Sequence, residues 1–132
     1  IPQISQFKTA MEAQPSMVMV ANVIYNEINS DLPLPQTSEG IEFIRNELSP
    51  GLIISDDLSS PVLKEEYGLE QVIKNTSTAG IDLLLVAGFD EIEDTERAIN
   101  YLKQQANQQN LEESLSRIIK LKENLPTHEK NN

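Results

Sequence analysis

Three short aliphatic runs, "SMVMVANVIY" at 16 to 25, "LIIS" at 52 to 55 and "IDLLLVAG" at 81 to 88, constrain this chain more than any other feature. Each is too short for a buried helix and rich in branched residues, as expected of strands covered on both faces. They begin roughly 30 or more residues apart, enough for a crossover helix between them, so right-handed parallel βα units are predicted.

The intervening segments carry helical signals. Ile4, Phe7, Ala10 and Met11 share one face of a segment over 4 to 13 that Pro15 closes. Thr37 or Ser38 can cap a helix to about Leu48, and Pro50 and Gly51 end it. A helix from about Leu69 to Ala79 stops at Gly80, the position of a C-terminal cap. Asp90 with Glu93, and Asn110 with Glu113, resemble capping pairs that open two final helices. The stretches 26 to 36 and 55 to 68 read as loops, and 126 to 132 as a disordered tail.

Other classes are excluded by charge and composition. Ten basic against 21 acidic residues give a formal charge of −11, which repels phosphate backbones and anionic lipid surfaces. The absence of cysteine removes disulfides, thiolate nucleophiles and cysteine-based zinc sites. No run approaches the roughly 20 apolar residues that cross a bilayer. At 132 residues and 39% hydrophobic composition, one domain or a piece of a larger one is expected. The chain opens on Ile1 rather than Met and is expected to be a segment of a longer polypeptide.

Three parallel strands leave two open edges, which invite further strands. In parallel α/β proteins chemistry gathers at the carboxyl ends of strands, here marked by Asn22 and Tyr25, by Ser55, Asp56 and Asp57, and by Ala87 and Gly88. Adjacent aspartates after a strand are most often turn formers or caps, whose side chains accept backbone N–H bonds. Asn22 fits a structural amide at a strand end, and Tyr25 and Phe89 fit aromatics that pack. A magnesium pocket at Asp56 and Asp57 needs another aspartate and a lysine at neighbouring strand ends, and Gly88 and Phe89 supply neither.

"PSMVMVANVIYNEINSDLPLPQTS", "LIISDDLSS" and "AGIDLLLVAG", in that order, resemble the last part of the catalytic barrel of glycoside hydrolase family 3, specifically its bacterial β-N-acetylhexosaminidases. Members of that branch typically read "MVAHVIYP", "GVIFSDDLSM" and "AGVDLLLVC". The resemblance covers about residues 2 to 125 and implies an α/β fold: the C-terminal portion, about three βα units, of a (β/α)8 TIM-type barrel. Residues 1 to 125 would form that portion, completed by an upstream segment or another copy.

The resemblance also implies a function. Asp56 matches the catalytic nucleophile, which attacks the anomeric carbon to form a covalent glycosyl-enzyme that water cleaves with net retention. The partner acid would sit roughly 5 Å away. Asp57 would be a structural neighbour that accepts loop hydrogen bonds, while Asn22 and Tyr25 would contact the sugar. The expected substrate is a terminal N-acetylglucosaminide, with no cofactor, metal, nucleic acid or membrane insertion. The histidine acid/base of the branch lies in a "GHG" motif that nothing here matches, and the only histidine, His128, falls in the tail. Asn22 and Ser60 replace a histidine and a methionine of the pattern. The isolated chain is therefore expected to be inactive. The alternative is a non-catalytic half-barrel that oligomerises through its open sheet edges.

Overall fold

The computed structural model describes residues 4–87, 91–105 and 107–125. Helix α1 (Ile4–Met11) leads into strand β1 (Met17–Val20), and a 3₁₀ turn (Leu34–Gln36) precedes helix α2 (Ser38–Leu48). Strand β2 (Leu52–Ser55) follows, then α3 (Pro61–Tyr67), α4 (Leu69–Ala79), α5 (Glu91–Gln105) and α6 (Gln108–Glu123). β1 and β2 pair in parallel, with Met17 opposite Leu52 and Val20 opposite Ser55. The described residues are thus α/β, built on two parallel strands with α2 crossing between them and the other helices before and after.

Local chemistry explains the sharpest boundaries. Thr37 caps α2, its hydroxyl accepting from the Gly40 N–H at 3.2 Å. Ser49 ends that helix in the left-handed conformation at φ 47°. α4 stops where expected, at Gly80 with φ 95°, a conformation without steric cost for glycine.

Two apolar clusters hold the layers together. Val20 and Ile53 of the strands pack with Ile41, Ile44 and Leu48 of α2 and with Ala79 and Ile81. Leu58 and Leu63 pack with Leu69, Val72 and Ile73 of α4 and Ala98 of α5. Ile53, Leu58, Val72 and Ile73 have no exposed surface, and full burial of such a side chain contributes about 1.5–3 kcal/mol.

Five expectations are corrected. Within the run 81 to 88, the described residues 81–87 form no third strand: they meet β2 through a single parallel bridge, Ile54 to Leu83. The ladder fails because side chains intercept it. Ser55 Oγ takes the Leu85 N–H at 3.0 Å, and the Asp57 carboxylate takes the Ala87 N–H at 3.0 Å. Second, the first run is extended only through Val20, so Asn22 and Tyr25 lie on the turn beyond it.

Third, β1 is not covered on both faces, since Met17 and Met19 are 39% and 55% exposed. Fourth, the loop after β2 contains α3, opened by Pro61 in its first turn and closed at Gly68 with φ 75°. Fifth, the cap at α6 is Asn107, which accepts from the Asn110 N–H at 3.2 Å; Asn110 lies inside the helix. Asp90 of the other expected cap, along with Gly88, Phe89, His128 and the tail, lies outside the described residues.

Candidate active site

The carboxyl ends of β1, β2 and the 81–87 run converge on Asp56 and Asp57. Ser55, the last residue of β2, is fully buried, so the chain emerges at Asp56 directly from the interior. The Asp56 N–H donates to the Val20 carbonyl at 3.0 Å, which pins the exit of β2 against the end of β1. Asp56 is half-buried, and its Oδ1 accepts from the Asp57 N–H at 2.8 Å.

Asp57 behaves differently. Its Oδ1 accepts the Ser59 N–H at 2.9 Å, the Ser59 hydroxyl at 2.7 Å and the Ala87 N–H at 3.0 Å. Burial disfavours its charged form, yet the Ser59 hydroxyl, the Ala87 and Ser59 N–H groups and the charge of Lys64 outweigh that effect. Together they hold the carboxyl below the usual carboxylate range. Asp57 therefore accepts loop hydrogen bonds, as its expected structural role requires.

Asn22 is drawn to the same turn, where its Nδ2 donates to the Asp57 carbonyl at 2.9 Å. Its Oδ1 is buried and has no partner among the described residues. Tyr25 goes elsewhere: it packs on the Val20 cluster and lines an apolar groove with Phe7 of α1, Val18 of β1 and Phe43 of α2. The structure thus gathers Asn22, Asp56 and Asp57 and places Tyr25 among apolar neighbours.

Two further charged centres escaped sequence reasoning. Lys64 of α3 pairs with Asp94 of α5 at 2.7 Å, tying the unexpected helix to the one beside it. Asp82, at the opposite end of the sheet, has a side chain with no exposed surface. Its oxygens accept from Arg45 at 3.0 Å, Arg117 at 2.8 Å, Ser114 at 2.9 Å and the Ile53 N–H at 2.8 Å. The one available signal was a lone acid inside an apolar run, which demands partners when buried.

Among the described residues no three acidic, histidine or cysteine side chains cluster to hold a metal ion. None of the described helices is long and apolar enough to cross a membrane.

Comparison with solved structures shows a shared fold. A glycoside hydrolase family 3 β-N-acetylglucosaminidase from Paenibacillus sp. str. FPU-7 superposes with a TM-score of 0.74 at 22% identity, over 96% of this chain and 26% of that one. A β-N-acetylhexosaminidase from Beutenbergia cavernae gives 0.75 at 22% identity, over 90% and 37%. A β-N-acetylglucosaminidase from Thermotoga maritima gives 0.73 at 20% identity, over 91% and 28%. The chain therefore spans well under half the length of each. No curated protein matches it. The model of the glycosyl hydrolase family 3 N-terminal domain matches residues 2–121, and with that match across nearly the whole sequence the chain belongs to glycosyl hydrolase family 3.

Proposed function

We propose that this chain is the C-terminal part of the catalytic barrel of a retaining β-N-acetylhexosaminidase, with Asp56 as nucleophile and an upstream segment supplying the acid/base. The observation that carries the proposal is the placement of Asp56: it is the first residue beyond β2, half-buried, with one oxygen held by the next N–H. That geometry leaves a carboxylate aimed from a rigid strand end, where parallel α/β proteins carry out chemistry.

In the first step a carboxylate oxygen of Asp56 attacks the anomeric carbon while the partner acid protonates the departing glycosidic oxygen. In the second, the deprotonated partner takes a proton from water, whose oxygen displaces Asp56 and restores the carboxylate with net retention. The substrate is a terminal N-acetylglucosaminide. Asn22 and Tyr25 are assigned to the sugar site as residues of the turn that leaves β1. Position supports this, but the Asn22 amide nitrogen is already engaged by Asp57 and the Tyr25 ring by the Val20 cluster.

The test is release of nitrophenol from an aryl N-acetyl-β-glucosaminide by the chain alone and by the chain joined to the sequence upstream of it in its gene. The longer protein should turn over, Asp56→Ala should lower its rate on the order of 10⁴-fold, and the chain alone should match the blank. Full activity of the chain alone would refute the need for an upstream segment. An active Asp56→Ala protein would refute the nucleophile.

A second reading has one observation in its favour. β1 pairs only with β2 among the described residues, and Met17 and Met19 are exposed beside that open edge. A half-barrel that associates with its own copy would cover both. Sedimentation decides: a monomer at all concentrations excludes it.

A further inference from the structure

We propose that Asp57 is the positioning residue for the Asp56 carboxylate. The proposal rests on the assignment of Asp56 as nucleophile and concerns what aims it.

Five hydrogen bonds converge on Asp57. Its N–H holds Asp56 Oδ1, its carbonyl accepts Asn22 Nδ2, and its Oδ1 accepts Ser59 N–H, Ser59 Oγ and Ala87 N–H. A turn former needs only the bonds to Ser59, two residues on. The other tethers reach much farther: Asn22 is 35 residues away and Ala87 is 30. They join the exit of β1 and the end of the 81–87 run to a single residue and so fix Asp57 from both sides of its Cα.

That fixation determines where Asp56 points. The bond from Asp57 N–H to Asp56 Oδ1 is local, so its geometry depends on how the intervening peptide plane is turned. With the carbonyl and side chain of Asp57 both anchored, the plane is locked before any substrate arrives. A misplacement of about 1 Å in a reacting group can cost about 100-fold in rate. Holding the attacking carboxylate through its neighbour's backbone leaves its second oxygen available for bond formation. Lys64 adds to the arrangement by bringing its positive charge near Asp57 while it anchors α3 to Asp94.

The test combines two measurements. On the chain alone, Asp57→Ala should speed amide hydrogen exchange at Ser59 and Ala87 by about tenfold or more. Asp57→Asn, which keeps a carbonyl acceptor for the same donors, should hold both within about threefold. On the longer protein that hydrolyses the aryl glycoside, Asp57→Ala should lower kcat about 30-fold while KM moves less than about threefold, and Asp57→Asn should recover most of that loss. Should Asp57→Ala fail to fold, Ser59→Ala removes only the hydroxyl tether on the Asp57 carboxylate, and kcat should fall about fivefold while KM stays within about threefold.

Asp56→Ala separates the two ideas. If it leaves turnover intact, the nucleophile assignment has failed. If it abolishes turnover while Asp57→Ala keeps kcat within about threefold, or moves KM as much as kcat, Asp57 is a turn former and the positioning role is overturned. Unchanged exchange at Ser59 and Ala87 overturns it as well.

Discussion

The two ends of the parallel sheet treat an aspartate in opposite ways. At the amino end Asp82 is wholly enclosed, and two arginines, a serine and a backbone N–H occupy its oxygens. At the carboxyl end Asp56 is half-buried, with a single bond from its neighbour's N–H among the described residues. The same side chain is a fastener where its valences are filled, and the proposed nucleophile where one is left open. The amino end joins α2, β2 and α6 through Asp82, so its loss would free the last helix. The carboxyl end is held by backbone and by Asp57, so it does not depend on the Asp56 carboxylate for its tethers.

The strongest way to break this contrast is Asp82→Ala. It strands Arg45 and Arg117 around a cavity and should destabilise by about 3–5 kcal/mol, read from urea denaturation followed by circular dichroism. A loss below about 1 kcal/mol would show that the amino end is not a fastener.

Asp56→Asn sharpens the other side. It keeps shape and an acceptor for the Asp57 N–H, so stability should move by less than about 0.5 kcal/mol in the same assay, while any hydrolysis disappears. A large destabilisation would make Asp56 structural and bring the two ends into line.

The smallest effect belongs to Asp57 and is lost in acid. Its carboxyl is held below the usual range in the folded protein, so its contribution is complete above the unfolded value of about 3.9. As pH falls through the lower folded value, that contribution is lost. Thermal melts of wild type and Asp57→Asn should therefore converge as pH drops below about 4 and differ above it. Parallel curves would mean that the hydrogen bonds at Asp57 do not favour its charge.

How much of this was legible in the sequence depended on distance along the chain. The bounds of α4 and β2 could be read directly, because Gly80 and the aliphatic run "LIIS" act within a few residues. α3 was missed because its seven residues are too few for a periodic pattern and its lead-in, "SDDLSS", looks like a loop. The Asp56–Asp57 pair stood out by its place at the end of an aliphatic run, and the nucleophile role of Asp56 came through the resemblance of the flanking blocks. Asn22 was marked as a strand-end amide, but its partner lies 35 residues on, where no local pattern reaches.

Sequence alone determined the alternation of helices with parallel runs, the family and the position of Asp56, since each is encoded by spacing or by a contiguous motif. Tertiary structure decided that the third run would not complete a strand, that Asp82 would gather two arginines and that Asp57 would bind three segments together. The reason is physical: a hydrogen-bonding group takes whichever partner the fold brings within reach. Ser55 Oγ and the Asp57 carboxylate claimed amides 30 residues away that the aliphatic pattern had assigned to a sheet ladder.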